Sequence, residues 1–386
     1  MVISPKIRML ILMLIAFAAT WVIYRPILRI ARSKMLTDNP GERKLQKSPV
    51  PVLGGIAVFF GIVVGLCYFK TMLNYVSLFP MLGAMVIMLY VGTIDDVSDL
   101  SPWIRIAVET GVALLMIYGN RTTILAFDGL FGLDTIPLGV SIPLTVLMTV
   151  GVINAINMID GIDGLVSGMM IFASACFGLI FFFSHDYSFT ALSAVMIGAL
   201  LQFFLHNVFG RETKMFIGDG GTMMVGTVMS AMVIELLSGQ LLLREFQPAF
   251  DFNLVCLALS VLSIPVFDTL RVMTARMAKG VSPFHADNTH LHHLFLRCGF
   301  SHLGTVVMMV GLDAFTVLAW LLAWWLGALP TLQLAVTVAA ALLADCGTAL
   351  LLSSAPEGSA ITRLGAASHM ERKGFWAWMQ KVVDRV

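Results

Sequence analysis

Two aspartates stand side by side at 95 and 96 in the stretch GTIDDVSDL, and Asp99 follows them. Adjacent carboxylates raise each other's proton affinity, which suits a general base or a shared metal ion. Asp99 has a simpler reading as the N-cap of the next helix. Further on, NAINMIDGIDGL sets Asn154, Asn157, Asp160 and Asp163 at intervals of three, between runs that are otherwise apolar. Residues three apart share a helix face, so Asn154, Asn157 and Asp160 are expected to climb one side of a helix. Gly161 and Gly164 let backbone come close to a ligand. Interhelical hydrogen bonding would explain one such amide but not the whole group. Buried polar groups need partners, and a polar ligand would supply them.

Asp219 lies in FIGDGGT, ahead of an apolar run. Glycines at a helix start form an anion-binding nest. A carboxylate there either caps the helix or holds Mg²⁺ whose other ligands are phosphate oxygens. FHADNTHLHH groups His285, Asp287, His290, His292 and His293. Zinc would want ligands of recognisable spacing from two elements, so donors for phosphate are the better reading. Asp268 with Arg271 three residues on reads as an intrahelical ion pair.

These groups sit in a chain of 386 residues that is 58% hydrophobic and 12% charged. Its mean hydropathy is +0.90. No soluble core absorbs that much apolar surface, so lipid is the expected solvent. Apolar runs of membrane length predict about eleven helical spans: 9–31, 51–69, 76–94, 103–119, 139–159, 163–183, 188–208, 218–239, 253–270, 304–326 and 331–353. The fold class is therefore an all-α polytopic membrane protein. Residues 1–353 form one membrane domain. In the tail, 354–386, Phe375, Trp378 and Val382 line one side of an interfacial amphipathic helix. The first span continues through TWVIY and reads as an uncleaved anchor. The five cysteines are isolated and give neither a disulfide frame nor a metal site. The net charge of +1 carries no nucleic-acid signature.

Sixteen of the 24 Lys and Arg residues fall in 32–50, 207–217, 271–303 and the tail. The positive-inside rule then places the N-terminus in the periplasm and the C-terminus in the cytoplasm. The aspartate, asparagine and histidine motifs all gather at the cytoplasmic face. Acids, an anion nest and cations there suit a Mg²⁺-bound diphosphate meeting a lipid substrate, since phosphoryl transfer needs mainly positioning and charge neutralisation. A membrane transporter is the alternative class. Transporter sites, however, lie near the bilayer midplane, often between inverted repeats, and no repeat is visible here.

PVPVLGG (49–55), GTIDDVSDL, NAINMIDGIDGL, FIGDGGT, SIPVFDTLRV and SPFHADNTHLHHLFLRCGF succeed one another in a fixed order. With these blocks the sequence resembles the polyprenyl-phosphate N-acetylhexosamine-1-phosphate transferases, over nearly the whole chain. PVPVLGG and HADNTHLHH look more like the undecaprenyl-phosphate N-acetylglucosamine-1-phosphate transferase branch of that family than its phospho-N-acetylmuramoyl-pentapeptide transferase branch. The resemblance implies transfer of a sugar 1-phosphate from a UDP-N-acetylhexosamine to undecaprenyl phosphate, with UMP released. That step would start a cell-envelope polysaccharide, such as lipopolysaccharide O-antigen, at the bacterial inner membrane. It implies Asp95, Asp96 and Asp160 as catalytic residues, with Asp95 the base for the lipid phosphate. Asp219 would hold Mg²⁺, with Mn²⁺ as the substitute. Lys47, Asn154, Asn157, Asp163, Asn207, Phe216, His290, His292 and His293 would bind the nucleotide sugar, Phe216 by stacking on uracil. The oligomeric state stays open, a homodimer included. One departure bears on the sugar. ADNTH at 286–290 differs from the PDRQH pattern of N-acetylglucosamine-specific members, which leaves a 6-deoxy N-acetylhexosamine as the alternative donor.

Overall fold

Apolar runs of this length become helices because only intrasegment hydrogen bonding satisfies the backbone in hydrocarbon. A computed structural model of the chain describes residues 4–38, 49–68, 75–239, 252–285, 287–369 and 374–385. Eight helices come first: α1 (Pro5–Ser33), α2 (Gly54–Cys67), α3 (Tyr75–Ser98), α4 (Pro102–Asn120), α5 (Leu138–Met158), α6 (Leu165–Phe183), α7 (Tyr187–Phe209) and α8 (Gly218–Leu236). Next, α9 (Leu254–Val261) and α10 (Ser263–Ala278) meet at a 70° bend. The short α11 (Leu291–Arg297) precedes α12 (His302–Trp325). α13 (Pro330–Leu342) runs through a π-helical turn, Leu343–Gly347, into α14 (Thr348–Ser353). α15 (Ala360–Ala367) and α16 (Phe375–Arg385) close the chain. Two antiparallel hairpins interrupt the helices: β1 (Thr37–Asp38) with β2 (Val50–Pro51), and β3 (Ala126–Leu130) with β4 (Leu133–Thr135).

The protein is thus an all-α polytopic membrane chain. Among the described residues, eight helices are long and apolar enough to span, and a ninth if the bent pair counts as one. Three of the eleven expected spans fall outside the eight for separate reasons. The expected span 51–69 yields α2, which has only 14 residues. The expected span 253–270 is broken by the bend at Leu262. α8 reaches 19 residues, but Asp219, Glu235 and its glycines dilute its hydropathy. Nearly all of α8 is buried among other helices, so protein rather than lipid is its solvent.

α8 is the centre of the bundle, flanked by α2, α3 and α5. Its approaches to α3 and to α2 are exceptionally close. A Cβ on Gly92 would stand 2.5 Å from the Gly220 Cα, and one on Gly55 2.3 Å from the Gly221 Cα. Small residues let helices in lipid pack backbone to backbone. Because Gly92 lies one turn before Asp95 and Asp96, this crossing brings that acidic pair beside Asp219.

The tail also docks on the bundle. The Trp376 ring stacks on Phe209 at 5.2 Å. Asp384 Oδ1 accepts the Arg211 and Glu212 amides at 3.0 and 3.2 Å. Phe375, Trp378 and Val382 of α16 remain exposed.

Candidate active site

Asp96 spends its carboxylate on the start of α8. Its two oxygens accept the amides of Asp219 at 3.0 Å and Gly220 at 3.4 Å. The first amides of a helix lack internal partners and carry its positive end. The expected anion nest therefore exists, but a protein carboxylate fills it rather than leaving it open for phosphate. Asp95 is tied differently. Its Oδ1 accepts the Leu100 amide at 2.7 Å, and its Oδ2 faces Arg105 Nη1 at 2.9 Å.

Asp99 is not the cap of α4. Ser101 occupies that place, and Asp99 adopts a left-handed φ of 47° just past the end of α3. Its amide donates to the Asp95 carbonyl at 3.0 Å, so it terminates the preceding helix instead.

Asn157 joins three helices through its side-chain amide. Its oxygen accepts from Arg105 of α4 at 2.7 Å. Its amide nitrogen donates to Asp219 Oδ1 at 2.9 Å and Thr222 Oγ1 at 2.8 Å, both on α8. Asn154 turns away, donating to the buried Glu109 and to the Val150 carbonyl. The interhelical role is the one it fills. The expected three-residue stripe also breaks, because α5 stops at Met158. Asp160 then enters the turn before α6.

That turn forms one wall of a cleft of about 780 Å³, within the range of roughly 300–1,000 Å³ typical of small-molecule sites. Asp95, Asp96, Asp160, Asp163 and Asp219 all line it, as do Asn207, Phe216 and His293. Asp160 is exposed and lines the cleft. Its carboxyl is pushed up to about 8, first by withdrawal from bulk water, then by the charges of Asp219, Asp96 and Asp163.

Asp163 behaves in the opposite way. Burial alone would raise it, but the His302 hydrogen bond and the Lys214 charge hold its carboxyl below the usual range. Its Oδ2 accepts from Lys214 at 2.6 Å and from His302 Nδ1 at 2.7 Å. Lys214 also stands 5.6 Å from the Phe216 ring centre. Behind this group, Asn207 accepts the Gly164 amide at 2.5 Å and donates to the Met215 carbonyl at 2.9 Å. It thereby ties the α5–α6 turn to the α7–α8 loop.

The histidines do not act as one cluster. His290 is buried against Asp268 at 2.8 Å. His292 is also buried, and neither of its ring nitrogens has a hydrogen-bond partner among the described residues. Burial, then the charge of His293, drives its basicity far down. His293 is lowered too, by burial and by His290. Both shifts favour the neutral ring, which offers one N–H. Asp287 and Asn288 reach the cleft beside His293. Arg276 clamps Asp287 with two bonds of 3.1 and 2.9 Å. Burial raises the Asp287 carboxyl, but the hydrogen bonds from Arg276 outweigh it and hold the group below its usual range.

Asn154, Asn157, His290 and His292 therefore stand behind the cleft rather than in it. Lys47 lies outside the described residues. Sequence reasoning alone misses Lys214, His302 and Arg105. Lys214 stands two residues before Phe216, yet in the sequence it counts only toward the positive loops. Arg105 falls within an expected span, and His302 carries no spacing signal.

Comparison with known proteins matches this arrangement to a family. Residues 78–237 match the family model described as glycosyl transferase family 4. Over 284 residues the chain is 30% identical to the undecaprenyl-phosphate alpha-N-acetylglucosaminyl 1-phosphate transferase of Escherichia coli strain K12, covering 73% of this chain and 74% of that one. The enzyme of the same name from Salmonella typhimurium is 31% identical over 281 residues, covering 71% and 72%. A probable undecaprenyl-phosphate N-acetylglucosaminyl 1-phosphate transferase of Bacillus subtilis is 29% identical over 308 residues, covering 78% and 81%. Neither the family match nor these relatives support a transporter. With a matched segment that runs from the first turn of α3 to the end of α8, and a relative 30% identical over 73% of the chain, the chain belongs to the polyprenyl-phosphate N-acetylhexosamine-1-phosphate transferases of glycosyl transferase family 4.

Proposed function

We propose that this enzyme transfers an N-acetylhexosamine 1-phosphate, with N-acetylglucosamine as the leading sugar, from its UDP-linked donor to undecaprenyl phosphate. The product would start a cell-envelope polysaccharide. The observation that carries the reading is the cleft itself. Asp95, Asp96, Asp160 and Asp219 line it together with the Lys214–Asp163–His302 group and Phe216. The Lys and Arg distribution supports a cleft opening to the cytoplasm at the bacterial inner membrane.

The donor set suits Mg²⁺, which takes one or two carboxylates and completes its shell with water and phosphate oxygens. Among the described residues no three His, Cys, Asp or Glu side chains form a ready metal cage. The carboxylates of Asp96, Asp163 and Asp219 gathered around Asp160 are charges that a cation would offset. Asp219, held by Asn157, would be the principal ligand. When bound, Mg²⁺ or Mn²⁺ would neutralise charge on the diphosphate.

The chain's own residues supply the rest. Asp95, kept next to Arg105, takes the proton from the lipid phosphate. That phosphate oxygen bonds to the β-phosphorus of the donor, the bond to the α-phosphate oxygen breaks, and UMP departs with the electron pair. Phe216 stacks on the uracil, beside the fixed carboxylate of Asp163. Asn157 keeps the Asp219 carboxylate and Arg105 in register across α4, α5 and α8.

Asn288 would read the sugar, because it lines the cleft while Asp287 is held by Arg276. A site that hydrogen-bonds a hydroxyl rejects donors that lack it. The test is a panel of UDP-N-acetylglucosamine, its galacto epimer and a 6-deoxy analogue, run on wild type and Asn288→Arg. A changed donor ratio supports the reading, and an unchanged ratio removes this loop from sugar selection.

A further inference from the structure

Asp345 lies in the last spanning segment, in the π-helical turn Leu343–Gly347, with no exposed surface. A buried acid at that depth demands a partner and a purpose. Its partner is Arg271 of α10, whose Nε donates to Asp345 at 3.0 and 3.3 Å. The same guanidinium pairs with Asp268 and donates to the Thr289 carbonyl at 3.2 Å. Asp268 in turn holds His290 at 2.8 Å and the Leu291 amide at 3.1 Å. Asp268 and Arg271 thus fasten residues 289–291 from the membrane side, while Thr289 is also tied to Asp287 at 2.8 and 3.2 Å. Asp345 is the second anchor that keeps Arg271 from swinging on Asp268 alone.

We propose that Asp345 is a positioning residue for the cleft wall at 287–293, acting through the Arg271 fork and resting on the transferase reading of that cleft. The proposal has two supports in the geometry. Among the described residues no hydrogen bond joins Asp345 to 287–293 and Asp345 does not line the cleft, so its effect on the loop runs through the Arg271–Asp268 pair. The turn that carries it is also irregular. A π turn inside a membrane helix interrupts the regular ladder, and such insertions recur at functional sites. Here it falls on the residue that meets Arg271. Deleting one residue from that turn would rotate α14 by about 100° relative to α13.

The experiment compares wild type with Asp345→Asn, Asp345→Glu and Arg271→Lys. It reads hydrogen–deuterium exchange and the KM and kcat for UDP-N-acetylglucosamine. Asp345→Asn keeps size and an acceptor but removes the charge. Amides of 287–293 should then exchange at least tenfold faster, while those of α12 keep their wild-type rates. KM should rise about tenfold, with kcat changed less than threefold. Asp345→Glu should recover part of both, and Arg271→Lys, which loses the fork, should copy Asp345→Asn. Unchanged exchange at 287–293 in a folded Asp345→Asn protein overturns the proposal. So does failure of all three variants to fold, which would make the pair a support of the bundle. If wild type turns over no donor, the functional reading fails, while the exchange measurement, which needs no turnover, still decides the role of Asp345.

Discussion

Gly161→Ala isolates the closest contact behind the cleft. A Cβ at Gly161 would stand 2.1 Å from His292 Nε2, 2.8 Å from Cδ2 and 2.9 Å from Cε1. Ordinary contact begins near 3.4 Å, so ring and turn must part by about 1.3 Å, the difference between the first distance and the last. His292 cannot yield that much. It is 1% exposed and packed against the rings of His290 and His293 at 5.7 and 4.2 Å. The shift must fall on the turn, and so on Asp160 and Asp163. Misplacement by about 1 Å near the reacting atoms costs on the order of 10²-fold in rate. UMP release at saturating donor and lipid phosphate should therefore drop about 10²-fold. Gly151→Ala is the control, since nothing lies within 4 Å of its Cβ position. That variant should stay within about twofold of wild type and gain up to about 1 kcal/mol of helix stability. A folded Gly161→Ala enzyme within about threefold of wild type would refute the claim that the turn and His292 are held in register.

Asp219→Asn should abolish transfer while leaving the thermal unfolding midpoint near wild type, because an amide keeps the shape but not the charge a cation needs; activity within a few-fold would remove Asp219 from metal binding. Asp163 gives a pH-dependent signature, since its carboxyl is held below its ordinary value by His302 and Lys214. A depressed carboxylate stabilises the fold fully above the unfolded value of about 3.9, and that stability is lost as pH falls through the folded value. The gap in unfolding midpoint between wild type and Asp163→Asn should thus be constant from pH 7 to 5 and shrink at about pH 3.5. A gap that persists unchanged to that pH would argue against the ion pair.

The acids of the cleft are legible because membrane sequences rarely carry carboxylates without use. Asp95, Asp96, Asp160, Asp163 and Asp219 stand out against apolar surroundings and do line one cleft. What the sequence does not reveal is how each carboxylate is employed. Asp96 and its partner amide at 219 are 123 residues apart, and no spacing rule links them. Asn154 and Asn157 look equivalent on one stripe. Only the packing of α4 shows that one meets Glu109 and the other Arg105. Counting spans by hydropathy also meets its limit at α8. Its surroundings are other helices, so its composition is that of an interior element. The Asp268–Arg271 pair is legible because it is local, and the pair is present. Asp345, the second partner of that arginine, lies 74 residues away and gives no signal.

A cleft that joins a UDP-sugar to a lipid phosphate must need both substrates before UMP appears. The most direct measurement is UMP release by the purified protein in lipid nanodiscs, with UDP-N-acetylglucosamine supplied and undecaprenyl phosphate and Mg²⁺ each added or withheld. UMP and polyprenyl-diphosphate sugar should appear in equal amounts, only when both are present. UMP release at the same rate without lipid phosphate would make the protein a hydrolase. No UMP from any UDP-N-acetylhexosamine in the complete mixture would contradict the claim outright.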